Sequence, residues 1–126
     1  MRVFEEAVEA LNRVDLAQLT RLVDPEIAFI PMRSAVTGAY MGHTGLEQFL
    51  SENDEMYEMF RAEFDSLEPL PDGRLLCIGR IKVRGHGGET ETEVATAGIA
   101  VFRGDRLLSW RDYGDETRAR AVAAER

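Results

Sequence analysis

From Phe60 to Tyr113 the chain is broken three times by residues that turn a backbone: Pro71-Asp72-Gly73, Gly85-His86-Gly87-Gly88 and Gly104-Asp105. Between the breaks the pattern is that of strands. Phe60, Ala62 and Phe64 alternate with Arg61, Glu63 and Asp65, the two-residue period of a sheet with one buried face. Leu75 to Arg84, Glu89 to Phe102 and Leu107 to Tyr113 read as three more strands. Turns this short force neighbours in sequence to pair antiparallel. This half of the chain is therefore a sheet built of hairpins.

The turns also suggest a register. If Arg84 pairs with Glu89 across the four-residue turn, Lys82 falls opposite Glu91 and Arg80 opposite Glu93. Opposite charges facing across strands stabilise a pairing by about 0.2–1 kcal/mol each. Carried through Gly104-Asp105, the same register sets Ile99 opposite Trp110, Val101 opposite Leu108 and Ala97 opposite Asp112. One side of the sheet then holds Leu76, Ile78, Arg80, Glu93, Ala97, Ile99, Val101, Leu108, Trp110 and Asp112, and its bulk predicts that it meets the helices. Cys77, Gly79, Thr92, Thr96, Gly98, Ala100 and Ser109 fall on the other side, small enough for a second subunit to pack on. A bulge in the strand after the glycine turn would exchange these faces.

The first half supplies helices. Phe4, Ala7, Val8 and Leu11 share one helical face. Asp15 with Gln18 forms a capping box for a second short helix whose stripe is Leu16, Leu19, Leu22 and Val23, ended by Asp24-Pro25. Ile27 to Pro31 reads as a strand. Thr44 and Glu47 make a further capping box, and a third helix runs to about Met59 with Leu46, Phe49, Leu50, Asn53, Met56, Tyr57 and Phe60 on its stripe. Asp115 caps an alanine-rich helix at the end. The order is helix, helix, strand, helix, four strands.

At 126 residues and 44% hydrophobic content, one globular domain accounts for the chain. A net charge of −8 with no separate basic stretch opposes binding to nucleic acid. Cys77 is the single cysteine, so no internal disulfide forms, in keeping with a reducing, cytoplasmic setting. Glu5, Glu6 and Glu9 occupy the N-terminal segment where a signal peptide would be basic, and no apolar run approaches membrane-spanning length.

Three segments resemble a known family. Leu11-Asn12-Arg13-Val14-Asp15-Leu16-Ala17-Gln18-Leu19 followed by Asp24-Pro25, then Gly38-Ala39-Tyr40-Met41-Gly42-His43, and finally Trp110-Arg111-Asp112-Tyr113-Gly114-Asp115 are similar to the opening, loop and last strand of SnoaL-like proteins. The resemblance spans nearly the whole chain. It implies an α+β fold of the nuclear-transport-factor-2-like kind over residues 1–126: a cone-shaped, curved, mostly antiparallel sheet wrapped around N-terminal helices, with an apolar pocket between them. The superfamily includes polyketide cyclases, ketosteroid isomerases, limonene epoxide hydrolases and non-catalytic binders, so fold does not fix activity. Asp112 corresponds to the catalytic aspartate that the hydrolase-like members carry in their Trp-Arg-Asp-Tyr segment. The second acid of that group is absent, since Arg80 and Lys82 hold the plausible positions. Ile30 precedes Pro31 where isomerase-like members place a general base, and the strand after the glycine turn lacks the histidine of the cyclases.

Asp112 is the first catalytic candidate, because burial beside Trp110 and Ile99 would suit it to general acid or base work; its structural alternative is a backbone or helix cap. Arg80, with Glu93, would orient a polar substrate group or else belong to a solvated charge ladder. Trp110, Ile99, Val101, Phe49, Asn53, Tyr57 and Tyr40 are the candidate pocket residues. Met32, Met41, Met56 and Met59 would add adaptable apolar surface. His43 and His86 stand apart, so no metal site is expected, and no cofactor motif is present. The expected activity is cofactor-independent acid–base chemistry on a small apolar carbonyl or polyketide-like compound. The alternative is a non-catalytic binding module. Either is expected to be a homodimer joined through a sheet face.

Overall fold

The computed structural model describes residues 2–34 and 38–125. Four helices and six strands lie among them: α1 (Arg2–Asn12), α2 (Leu16–Leu22), β1 (Val23–Ile30), β2 (Tyr40–Met41), α3 (Gly42–Met56), β3 (Tyr57–Pro69), β4 (Leu75–Gly85), β5 (Thr92–Arg103), β6 (Arg106–Asp112) and α4 (Glu116–Ala123). This is the α+β class expected from the pattern, and the expected order but for β2, a two-residue strand in a segment read as a loop. No helix among the described residues is long and apolar enough to cross a membrane.

One sheet holds all six strands in the order β2-β1-β6-β5-β4-β3. Every pairing is antiparallel except β1 with β6. Strand β1 comes in from the helical half of the chain and lies beside the last strand, so the two halves close one structure. Register shifts interrupt β1, β3 and the β5–β6 pair. Bulges of this kind bend and coil a sheet. The curved inner face receives α1, α2 and α3, and its core joins Phe4, Ala7 and Ala10 of α1 to Leu75, Cys77, Ala100, Leu107 and Trp110. Helix α4 covers part of the outer face, where Ala119 packs with Leu76, Ala97 and Ile99. Arg74 pins its end by donating from Nη2 to the carbonyls of Ala123 and Glu125, both at 3.0 Å.

Local chemistry explains most boundaries. Asp15 Oδ1 accepts from the Gln18 backbone N–H at 3.1 Å and opens α2, and Asp115 Oδ1 accepts from the Arg118 N–H at 2.7 Å and opens α4, both as N-caps. The Thr44–Glu47 box is not used. Helix α3 begins at Gly42, with Met41 at its cap and no side-chain bond there. It can start early because Gly45 lets the first turn lie on β2, where a Cβ would come within 2.7 Å of the Tyr40 backbone. Helix α3 also ends at Met56, three residues short of the expected Met59, and the chain passes directly into β3.

The β4–β5 hairpin differs from its charge-based register by two residues. Lys82 pairs with Glu93 and Arg80 with Ala95, and β5 starts at Thr92 instead of Glu89. The connection is longer than the four glycine-turn residues, so Glu89 and Glu91 fall outside the ladder. An even shift keeps each residue on its face. Arg80 finds its partners diagonally, at 3.2 Å from Glu93, and across the other neighbour, at 2.6 Å from Asp65 and 3.3 Å from Glu63.

Candidate functional site

The site depends on one extra residue. As the Gly104-Asp105 turn predicts, Phe102 pairs with Leu107. The pairing then slips: Leu108 is passed over, Val101 meets Ser109, Ala100 meets Trp110 and Gly98 meets Asp112. This bulge turns the end of β6 over relative to β5. Trp110 and Asp112 therefore share the inner face with Thr96, Gly98 and Ala100. Ile99 and Val101 point to the outer face with Leu76, Ile78, Arg80 and Glu93, outside the hollow that the inner face makes with the helices. Ile99 packs there against Ala119 of α4. Of the small residues expected to meet a second subunit, Cys77, Thr96, Gly98 and Ala100 thus face the interior, with Cys77 and Ala100 fully buried and Thr96 1% exposed, whereas Ser109 pairs with Val101 on the outer side. Gly98 shows why the surface is small: a Cβ there would sit 2.6 Å from the Trp110 ring and 2.4 Å from the Arg111 carbonyl. The indole lies over that bare backbone and meets the rings of Phe4 at 5.3 Å and Phe64 at 5.5 Å between centroids.

Between this face and the helices is a hollow of about 220 Å³. Phe4, Val8 and Leu11 roof it from α1, Leu46 and Phe49 from α3, and Phe60, Ala62 and Phe64 wall it from β3. Met32 and Val94, about half exposed, stand at its rim. Polar side chains in the lining are few: Arg33, Tyr57, Thr96 and Asp112. A cavity that is mostly apolar with a few placed polar groups has the make-up of a small-molecule site.

Asp112 is 8% exposed. Its Oδ2 accepts from the Thr96 hydroxyl at 2.7 Å. Its Oδ1 accepts from two backbone N–H groups, Ala97 at 3.3 Å and Gly114 at 2.8 Å. Three donors converge on one carboxylate, and none of the described residues forms an ion pair with it. Each carboxylate oxygen has two lone pairs. Those of Oδ1 are both engaged, and one on Oδ2 is left. The carboxylate thus caps backbone N–H groups, the structural alternative expected for it, while also lining the hollow.

Among the other candidates, Phe49, Tyr57 and Trp110 line the hollow. Asn53 does not; it borders a separate groove between the C-terminal ends of α1 and α3. Tyr40 is buried away from both and anchors a polar cluster around Arg33. Arg33 Nε donates to the Tyr40 oxygen at 3.1 Å, Nη1 to Asn53 Oδ1 at 2.6 Å and Nη2 to the Phe49 carbonyl at 3.3 Å. The Tyr40 hydroxyl donates to Glu52. That bond, with a second from Gln48 and the charge of Arg33, holds the Glu52 carboxyl below the usual carboxylate range. Arg80 lies outside the site altogether, on the outer face among acids that raise its own already high pKa, chiefly Asp65. It cannot stabilise charge developing in the hollow. Two lining residues had no sequence signal. Thr96 was set on the wrong face by the unseen bulge, and Arg33 follows β1 in a stretch with no periodicity. Among the described residues no group of three or more histidine, cysteine, aspartate or glutamate side chains could hold a metal ion.

No protein-family model matches the sequence, and no curated protein matches it either. Solved structures do match the fold over almost its full length. TerC, co-crystallised with polyporic acid, superposes with a TM-score of 0.79 at 14% identity, covering 97% of this chain and 95% of that one. A protein of ketosteroid isomerase-like fold from Catenulispora acidiphila gives 0.76 at 16% identity, with 96% and 91% covered. A SnoaL-like polyketide cyclase, so assigned putatively, from Shewanella denitrificans gives 0.69 at 18%, with 97% and 93% covered. The α+β cone of this chain is the nuclear-transport-factor-2-like fold that SnoaL-like and ketosteroid isomerase-like proteins share.

Proposed function

We propose that the protein takes a small, largely apolar carbonyl or polyketide-like compound into the hollow and that Asp112 exchanges a proton with it, without a cofactor. The supporting observation is a buried carboxylate, held by three donors, in the wall of an otherwise apolar cavity. Donors that fix its orientation leave one lone pair of Oδ2 for the reacting proton, which is the geometry a general base needs. Structures of the same fold have been crystallised with small molecules, TerC with polyporic acid and the Catenulispora protein with trimethylamine. Arg80, expected to steady developing charge, has no part in this reading. Tyr57 is the polar side chain in the lining that would meet a carbonyl, since the Arg33 guanidinium is engaged by Tyr40, Asn53 and the Phe49 carbonyl.

The test is loss of deuterium from the α-carbon of an apolar cyclic ketone such as 2-tetralone, followed by NMR. The protein should speed the exchange, and Asp112→Asn should slow it by about 10²-fold or more. Asparagine keeps an acceptor for the Ala97 and Gly114 N–H groups, so the fold should survive. A wild-type protein that binds the ketone without speeding exchange would leave the non-catalytic binding module as the function.

A further inference from the structure

We infer that the preferred occupant of the hollow carries a protonated amine on an apolar, aromatic-sized body, and that the ammonium meets Oδ2 of Asp112. This rests on ligand access to the hollow and not on proton transfer to carbon. Three observations support it. The first is the donor inventory. With Oδ1 taken by two N–H groups and Oδ2 by the Thr96 hydroxyl, what Asp112 offers in its carboxylate form is a single acceptor. A ketone, ester or ether oxygen cannot answer it, whereas an N–H or O–H can.

The second is charge. Buried anions are stable when paired, and Asp112 has no cationic partner among the described residues. Arg33 is the other charged side chain in the lining. Its guanidinium is turned to Asn53, Tyr40 and the Phe49 carbonyl and lies 4.0 Å from Glu52. The missing positive charge is then supplied by what binds. A neutral donor would satisfy the hydrogen bond and leave the charge uncompensated. The chain's net charge of −8 draws cations toward it from a distance.

The third is the wall. Phe4, Phe29, Phe49, Phe60, Phe64 and Trp110 all line the cavity, and ring faces attract cations. The molecule already uses this attraction at the rim, where the Arg33 guanidinium lies 4.1 Å from the centre of the Phe49 ring.

The experiment compares four probes of one shape: 2-phenylethylamine, 2-phenylethanol, benzyl methyl ketone and phenylacetate. Trp110 is the single tryptophan and lines the hollow, so its fluorescence at pH 7 reports occupancy directly. The amine should bind tightest, by about tenfold or more over the ketone, with the alcohol between and the acid weakest. In Asp112→Asn the amine should fall to the level of the ketone measured on the same variant, whose unchanged circular dichroism spectrum shows that it is folded. The ordering in the wild type needs no variant. If ketone or acid binds as well as the amine, the amine inference is overturned while the pocket reading stands. If none of the four perturbs Trp110 at any concentration, both are overturned.

Discussion

Val14 stands in the backbone conformation that valine tolerates least, with φ at +56°. The hydrogen bonds show why. The Asp15 N–H reaches the Ala10 carbonyl at 2.9 Å and the Val14 N–H reaches the Leu11 carbonyl at 3.1 Å, the paired bonds of a Schellman motif closing α1. The motif needs a left-handed residue after the helix, a place usually filled by glycine. A β-branched residue there is strained by about 1–2 kcal/mol. Val14 is 63% exposed, so little packing offsets it. Val14→Gly should stabilise the protein by roughly 1 kcal/mol after the extra freedom of glycine in the unfolded chain is counted, raising Tm by about 4 °C. Calorimetry that finds an unchanged or lower Tm would show that the strain is relieved elsewhere. Such strained positions often gather near sites, and Val14 borders the second groove with Asn53 and Tyr57.

Helix α1 is fastened to the sheet by more than apolar contact. Asn12 Nδ2 donates to the Ala62 carbonyl at 2.8 Å, and the Ala62 N–H donates back to Asn12 Oδ1 at 2.8 Å. Strand β3 is the edge of the sheet, and one amide side chain serves it as a neighbouring strand would. The clip fixes the end of α1 on β3, and Leu11 and Ala62 beside it both line the hollow. Removing it strands two polar groups of a residue only 6% exposed. Asn12→Ala should therefore destabilise by about 2–4 kcal/mol, seen as a lower denaturant midpoint at constant slope, with faster amide exchange at Ala62. A loss below about 0.5 kcal/mol would mean that water replaces the clip without penalty. Asn12 could be read from the sequence only as the end of a helix, because its partner lies 50 residues away.

The molecule as a whole is acidic, and several of its carboxylates are paired with arginine or lysine. Arg103 grips Asp24 through two nitrogens, at 2.9 and 2.6 Å, tying the start of β1 to the end of β5. That pairing, aided by the Glu26 N–H, holds the Asp24 carboxyl below its usual range. Glu63, held chiefly by Lys82, Glu68, held chiefly by Arg120, and Asp72, held chiefly by the Arg74 N–H, shift the same way. A carboxyl whose folded pKa lies below its unfolded value binds protons more readily when unfolded. Its contribution is present above the unfolded value, about 4, and is lost as pH falls from there through the folded one. Stability should therefore be nearly flat from pH 7 to about 5 and fall below about 4. Asp24→Asn should lower it at neutral pH and make the acid fall shallower. An acid limb as steep in the variant as in the wild type would remove Asp24 from the list of causes.

By itself the sequence determined the class, the order of every element but the two-residue β2, the turns and two of the helix caps, because each of those is decided within a few residues. Asp15 and Asp115 cap the helices beside them, and glycine turns join the strands beside them. It also singled out Trp110 and Asp112. Their reasons for being inside were not legible. Alternation alone put them with Ile99 and Val101, and only the fold inserted Leu108 as an extra residue, turning the indole onto Gly98 and the carboxylate toward Thr96. Arg80, set with Ile99 on the same side of the sheet, went with it to the outer face, and Arg33 carried no pattern that could have placed it. Which side of a sheet becomes the interior is settled by what packs against it, and a bulge of one residue, costing little locally, was enough to bury one face and leave the other to solvent and α4.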